Sequence, residues 1–164
     1  MVHAREFMCS NPFVCVSFYI YVLQMDKWFR IQAQSPLPGG VARVKALMDH
    51  PAFVFTNPNK LRAVVAGFCR GNPSQFHAVD GSGYELLGQT IRDIDHVNPQ
   101  IAAGLSKIFL DWARFTPERQ VLIHKQLKLI LETPGLSSNT HEVVTAALSA
   151  ADGSKATNPS MSKL

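Results

Sequence analysis

The sequence predicts an all-α fold on three observations. Between residues 41 and 148 the apolar residues recur three and four positions apart, which places them on one face of a helix. No stretch in this range alternates apolar and polar residues as a half-buried strand does. Asn-Pro and Thr-Pro pairs precede several of these apolar runs, and such pairs are typical of helix starts. Short connections favour antiparallel packing of consecutive helices, in a bundle or in a short stack of helix pairs.

The first two predicted helices lie on either side of Pro51. Helix one follows the Pro- and Gly-rich break at 36–40 and ends near Pro51, because the residue before a proline disfavours the helical conformation. The second begins at Asn57-Pro58, where Asn caps and Pro takes the first helical position, and ends at Gly71. Their buried faces are predicted to hold Val41, Val44, Leu47 and Met48, and then Leu61, Val64, Val65 and Phe68.

The remaining elements follow the same pattern. A short turn is expected at Asn72-Pro73, and in the last helix Glu142 is positioned to reach back to the N-cap. The four further helices are predicted over 81–95, 98–112, 116–130 and after Ser138 or Asn139. Their inward residues are Tyr84, Leu87, Ile91 and Ile94; Ile101, Leu105, Ile108, Phe109 and Trp112; Leu122, Ile123, Gln126, Leu127 and Ile130; and Val143, Val144, Ala147 and Leu148. The total is about six or seven helices.

The N-terminal end carries an apolar run of 11 residues, 13–23, which is too short to cross a bilayer as a helix. No membrane span is predicted. Arg5 and Glu6 stand together before the run and no small-residue cleavage site follows it at once, so a secretory signal is not predicted. The run is a buried strand, a buried helix or a leader outside the folded unit.

The C-terminal end, 151–164, is small, polar and without periodicity, which predicts a flexible tail. It closes on Ser162-Lys163-Leu164, the tripeptide that the peroxisomal import receptor reads at a free carboxyl terminus. The import receptor is therefore a predicted partner. The expected location is a peroxisome-like organelle if this signal is used, and the cytoplasm otherwise.

Composition excludes several classes of protein. The 164 residues suit one domain, and the net charge of +4 comes from basic residues scattered singly along the chain. Nucleic acid is not a predicted partner, because a phosphate backbone is bound by clustered Lys and Arg. Three cysteines without a C-x-x-C spacing indicate neither a disulfide framework nor a zinc knuckle, so a reducing compartment is expected.

Motifs for catalysis or metal binding are incomplete. His141-Glu142 begins the H-E-x-x-H zinc motif, but Thr145 stands where the second His is required. Cys69 lies in a predicted helix beside Phe68, and such a cysteine is more often a small buried apolar residue than a nucleophile. The residues alone therefore predict no metal site and no catalytic residue.

A series of short strings resembles one family in order and spacing. They are MDKWF at 25–29, QA at 32–33, SP at 35–36, HPAF at 50–53, NPNKLR at 57–62, NP at 72–73, FH at 76–77, DGSGY at 80–84 and NPQ at 98–100. Together they resemble the C-terminal helical domain of bacterial-type aminopeptidase N, a family of zinc peptidases. The resemblance covers about residues 25–150. It implies a short superhelix of stacked antiparallel helix pairs, armadillo/HEAT-like, preceded by an unrelated or misassigned leader at 1–24 and followed by the tail at 151–164.

The resemblance also implies a role. In the family the zinc ligands, the H-E-x-x-H motif and the G-A-M-E-N motif belong to an upstream catalytic domain, and this sequence contains neither motif. The chain is thus expected to bind no cofactor, to hydrolyse no peptide by itself and to partner that catalytic domain, normally in cis. Its implied function is to enclose the active-site chamber and to control the access of peptide N-termini.

Two residues are implied to line the substrate channel. Arg62 matches a family arginine that faces the internal cavity, and Gln100 matches a glutamine near bound peptide. The alternatives are that Arg62 extends into solvent from its helix and that Gln100 supports the Asn98 cap. Gly104 departs from the family, which commonly has a basic residue one turn after this glutamine, and a glycine there weakens the helix.

The sequence leaves two other interpretations of the chain open. One is a free-standing helical module that binds peptides or another protein. The other is a non-functional gene fragment. A domain that packs against a missing neighbour should expose an apolar patch, whereas an independent module should fold as a well-behaved monomer.

Overall fold

The structure, a computed structural model, describes the backbone of residues 12–155 and the side chains of Tyr21 and residues 24–149. All regular secondary structure in this part is helical, so the predicted all-α class is confirmed. The α-helices of this part are α1 (Pro12–Ala33), α2 (Gly40–Met48), α3 (Pro58–Leu61), α4 (Gly67–Gly71), α5 (Pro73–Phe76), α6 (Ser82–Asp95), α7 (Pro99–Ser106), α8 (Pro117–Leu131) and α9 (Ser138–Lys155).

Three short segments differ from regular α-helix: one wider π-helical turn and two tighter 3₁₀ turns. A π-helical turn, Arg62–Ala66, joins α3 to α4, so that one continuous helix runs from 58 to 71. Two 3₁₀ turns, Lys107–Phe109 and Trp112–Arg114, follow α7. With 58–71 counted as one helix, the described residues form seven helices and the single turn α5, in agreement with the expected number.

The helices pack in two groups around one core. In the first group α1 lies against α2 and along the continuous helix 58–71. In the second group α6 and α9 each contact both α7 and α8. Contacts of α2 and α5 with α6 join the two groups. The largest fully buried side chains are Tyr84, Phe29, Phe68, Phe109, Leu61, Leu87, Ile91, Ile94, Ile123, Leu127, Ile130 and Val44.

The Asn-Pro pairs start helices as predicted, but their side chains act differently. Asn57 Oδ1 accepts a hydrogen bond from the Asn59 N–H at 2.9 Å, and Asn98 Oδ1 accepts one from the Ile101 N–H at 3.2 Å. Both are N-caps. Asn72 is buried, and its Nδ2 instead donates to the Ser35 carbonyl at 2.7 Å. It therefore fixes the loop after α1 rather than capping α5.

The chain after Asn98 differs from the single helix predicted through Trp112. Here α7 ends at Ser106, and the following residues form 3₁₀ turns. Trp112 is still buried, because its Nε1–H donates to the Ala147 carbonyl of α9 at 2.8 Å. A partner 35 residues away thus orients this segment, and local periodicity does not contain that information.

The last helix starts at Ser138, just before the predicted start, and it is capped by a residue other than the predicted Glu142. Ser137 Oγ accepts a hydrogen bond from the Thr140 N–H at 3.4 Å, and Glu142 is exposed and makes no cap bond within the described residues. The helix runs to Lys155, so residues 151–155 of the predicted tail continue α9. Ser162, Lys163 and Leu164 lie outside the described residues, and the targeting signal stays a prediction.

The N-terminal boundary predicted at residue 25 falls inside α1. Side chains from Met25 onward reach the core, where Phe29 is 0% and Ala33 is 1% exposed. No helix of the described part is both long and apolar enough to cross a membrane.

Candidate functional site

Arg62, the first predicted channel residue, lies in a groove between α1 and the helix 58–71. It is exposed and begins the π turn. The groove has a volume of about 300 Å³ and is lined by Arg30, Gln34, Arg62, Ala66, Gly67 and Arg70. We call it the arginine groove, because three of its six lining residues are arginines.

Two glycines one turn apart, Gly67 and Gly71, allow α1 to pack closely against the helix 58–71. A Cβ on Gly67 would lie 3.4 Å from Arg30 Cγ, and a Cβ on Gly71 would overlap the side chain of Gln34. Arg30 and Gln34 are also one turn apart, so their stems lie over the two glycines. The glycines therefore bring both side chains of α1 to the groove.

The π turn aligns the two arginines of the other wall. The Gly67 N–H donates to the Arg62 carbonyl, five residues earlier. In a regular α-helix, Arg62 and Arg70 would point about 80° apart, because eight residues turn by about 800°. One extra residue in a π turn reduces this difference to roughly 20°. Arg62 and Arg70 thus share one face of the helix, two turns apart.

No carboxylate balances the arginine groove. None of its lining residues is acidic. Within the described part of the chain, the ion pairs are Lys60 Nζ with Asp26 Oδ1 at 2.7 Å, and Arg114 with Asp111 at 3.6 Å. Asp26, which precedes Arg30 by one turn on α1, pairs with Lys60. The groove holds three cationic side chains whose guanidinium groups have no acidic partner among residues 24–149.

Gln100, the second predicted channel residue, does not line the arginine groove. It is exposed on α7, and its side chain makes no hydrogen bond within the described residues. The Asn98 cap forms without it. Gly104 lies one turn later and is also exposed, and a Cβ there would meet nothing within 4 Å. Gln100 and position 104 therefore face open space together.

The other candidates from the sequence are not joined into a site. His141 and Glu142 are exposed at the start of α9. In residues 24–149 there is no group of three His, Cys, Asp or Glu side chains that could hold a metal ion. Cys69 is buried in α4, and burial raises the pKa of its thiol, which keeps the sulfur in the unreactive thiol form.

A contact that the sequence did not suggest joins His77 to Tyr84. His77 Nδ1 lies 2.8 Å from Tyr84 Oη, and the Arg119 Nε–H donates to the His77 carbonyl at 3.2 Å. Burial, with a smaller contribution from the Arg119 charge, lowers the pKa of His77. Phe76 and Phe115 pack against the imidazole ring. This cluster joins α5 to α6 and α8, and we interpret it as structural.

A family model matches most of the chain. It is described as "Domain of unknown function (DUF3458_C) ARM repeats", and the match covers residues 20–149. The chain belongs to this family. Its armadillo-repeat description agrees with the all-helical structure, so the predicted superhelix of stacked helix pairs is confirmed.

Curated relatives connect this ARM-repeat domain with a longer enzyme. The chain is similar to aminopeptidase N of Caulobacter vibrioides, with 43% identity over 126 residues. Aminopeptidase N of Haemophilus influenzae is 39% identical and that of Escherichia coli 36% identical over the same length. In each case 77% of this chain is covered, but only 14% or 15% of the relative. The chain corresponds to the C-terminal helical domain of aminopeptidase N, as the sequence predicted.

A solved structure gives the same result. The chain is similar to Legionella pneumophila aminopeptidase A, solved in complex with aspartic acid, with a TM-score of 0.72 and 32% identity. The similarity covers 83% of this chain and 17% of that one. The ARM-repeat domain is therefore shared among longer aminopeptidases, of which this chain spans about a sixth or less.

Sequence reasoning missed part of the arginine groove. Arg30, Gln34 and Arg70 were not candidates, although Arg62 was. The available signal was the pair Gly67 and Gly71, whose spacing of four is typical of a close helix contact. The partner helix could not be read from that spacing alone.

Proposed function

We propose that this chain is the C-terminal part of a zinc aminopeptidase, where it encloses the active-site chamber and controls the access of peptide N-termini. The observation that carries the proposal is similarity to aminopeptidase N at 36–43% identity over a segment that is only 14% or 15% of each relative. Zinc and the hydrolytic residues belong to the catalytic part, which is the proposed partner in cis.

The exposed polar side chains support a role in contacting peptide. The guanidinium of Arg62 can donate two hydrogen bonds to a carbonyl or carboxylate, and the amide of Gln100 can both donate and accept. Both side chains are exposed on the surface of the ARM-repeat domain. In the proposed assembly each of these two side chains borders the chamber.

The first test is the mass of the native polypeptide that carries this sequence. The proposal expects a mass several times the 18.1 kDa of this chain and an H-E-x-x-H motif in the added sequence. The isolated chain should release no product from Ala-, Arg- or Leu-aminoacyl reporters with zinc present. A native mass near 18.1 kDa contradicts the proposal and favours a free-standing helical interaction module. Zinc-dependent activity of the isolated chain contradicts its non-catalytic part.

The second test places the chain in a complete enzyme. Residues 25–150 replace the matching segment of the Caulobacter vibrioides aminopeptidase N, and kinetics are compared for tripeptides and for aminoacyl reporters. We expect Arg62→Gln and Gln100→Ala to raise KM for tripeptides about tenfold, the effect of one lost hydrogen bond to a charged group, with little change for reporters. Arg114→Gln, which removes an exposed charge elsewhere, is the matched control. Equal effects on both substrate types would contradict a channel-lining role.

A further inference from the structure

Two arginines of the arginine groove are not accounted for by the family resemblance. Arg30 and Arg70 lie outside all of the strings that carry it, whereas Arg62 lies within NPNKLR at 57–62. The enclosing role needs neither of them. Their convergence with Arg62 in one groove therefore calls for a separate explanation.

The packing holds the three arginines around one space. Arg30 extends from α1 across Gly67, which lies between Arg62 and Arg70 on the opposite helix. The π turn puts Arg62 and Arg70 on a common face, as described above. Gln34 adds an amide beside them, and its stem lies over Gly71. The groove is thus bounded on both walls by hydrogen-bond donors.

The positive charges of the arginine groove are not balanced by acidic residues in its lining. Three like charges around about 300 Å³ repel one another, and no acidic residue lines the groove. Arg114, by contrast, has the Asp111 carboxylate as its partner. An anion in the groove would convert repulsion into attraction, because each guanidinium presents a planar fork of donors that matches a carboxylate or phosphate.

We propose that the arginine groove binds carboxylate groups of acidic peptides, with Arg30 and Arg70 providing the preference for acidic residues. The choice of peptides, rather than phosphate compounds, rests on the proposed function. Carboxylates on neighbouring peptide residues can each meet one guanidinium of the groove, and the Gln34 amide can donate to a peptide carbonyl.

The test measures binding to the full chain by isothermal titration calorimetry at about 50 mM salt, where screening of the charges is weak. The probes are the tetrapeptide Ala-Ala-Glu-Glu, its carboxylate-free counterpart Ala-Ala-Gln-Gln amide, and inorganic phosphate. The variants are Arg30→Gln and Arg70→Gln, and the matched control is Arg114→Gln, which removes the same charge from an exposed site outside the groove. Circular dichroism verifies that each variant is folded.

We expect saturable binding of the acidic tetrapeptide, with about tenfold weaker affinity in each groove variant, as for the loss of one charge-assisted hydrogen bond. Arg114→Gln should bind as the wild type does, and the carboxylate-free peptide should not bind. The proposal is overturned by the absence of saturable binding, by groove variants within twofold of wild type, or by an equal loss in Arg114→Gln. Displacement of the tetrapeptide by equimolar phosphate overturns the choice of peptides.

These outcomes are separate from those that test the proposed function. Native mass and reporter hydrolysis do not depend on Arg30 or Arg70. A chain that is part of a longer aminopeptidase but fails to bind the acidic tetrapeptide contradicts only the groove assignment. A chain that binds it but has a native mass near 18.1 kDa contradicts only the enzyme assignment.

Discussion

Two glycines illustrate how differently one residue type is used in this domain. Gly83 lies in the first turn of α6, where an added Cβ would overlap the Phe76 carbonyl of α5. Gly104 lies inside α7, and an added Cβ there would meet nothing within 4 Å. The first glycine is required by a close backbone contact, whereas the second only weakens its helix.

Replacement of Gly83 by alanine should destabilise the domain. The overlap with the Phe76 carbonyl forces α5 and α6 apart, and such overpacking costs about 1–3 kcal/mol. Urea denaturation followed by circular dichroism should give a lower midpoint with an unchanged slope. A midpoint equal to that of the wild type would show that the two helices separate without cost.

Replacement of Gly104 by alanine should have the opposite effect. Alanine is favoured over glycine inside a helix by about 0.5–1 kcal/mol, and here nothing opposes its methyl group. The free energy of unfolding should rise by that amount in the same urea assay. Gly83→Ala serves as the matched comparison, and destabilisation of both variants would contradict the open position of Gly104.

At the level of elements, Asp95 joins the end of α6 to the start of α9. Asp95 is 1% exposed, and its carboxylate accepts hydrogen bonds from the Ser137 N–H at 2.7 Å, the Ser137 hydroxyl at 2.6 Å and the Thr140 hydroxyl at 2.6 Å. Burial favours the neutral carboxyl, but these hydrogen bonds outweigh it and hold the pKa of Asp95 below its usual value. A side chain at the end of α6 therefore binds the residues at the start of α9.

This network should make stability depend on pH. Because the native pKa of Asp95 is lowered, its contribution is complete above the unfolded-state pKa of about 3.9 and is lost as the pH falls through the native pKa. Asp95→Asn should cost about 2 kcal/mol at pH 7 and flatten the dependence of the urea midpoint below about pH 5. Asp93→Asn, an exposed change on the same helix, is the control. Parallel acid profiles for wild type and Asp95→Asn would refute the assignment.

Most elements could be predicted from the sequence, because their starts and apolar faces are local properties. The Asn57 and Asn98 caps and the inward face of α6 agree with expectation. The π turn, the end of α7 at Ser106 and the Ser137 cap could not be predicted. Each is associated with contacts between helices that are distant in sequence, such as the hydrogen bond from Trp112 Nε1–H to the Ala147 carbonyl of α9.

At the level of the whole molecule, the C-terminal half of α1 forms part of the core. Phe29 is fully buried, and Lys60 is 6% exposed, pairs with Asp26 at 2.7 Å and lies 5.1 Å from the Phe29 ring centroid. These contacts join α1 to α3. The folded unit therefore includes the part of α1 from Met25 onward. The domain boundary at residue 25 stays a prediction.

Truncation should locate this boundary. Deletion of residues 1–24 should leave cooperative unfolding intact, because the contacts of Asp26, Phe29 and Ala33 remain. Deletion of residues 1–33 should abolish it, since it exposes a core face and leaves Lys60 buried without its carboxylate. Urea titration monitored at 222 nm distinguishes the two. Cooperative unfolding after the longer deletion would mean that α1 is dispensable.

The sequence by itself determined the helical class, the order of most helices and the family resemblance, because helix starts, apolar spacing and short motifs are properties of neighbouring residues. Only the tertiary structure decided which distant residues meet. The arginine groove needs the close approach of α1 to Gly67 and the turn that aligns Arg62 with Arg70. The Asp95 network spans 45 residues to Thr140. Such contacts depend on how helices cross, and the crossing is set by side-chain packing that one-dimensional spacing does not encode.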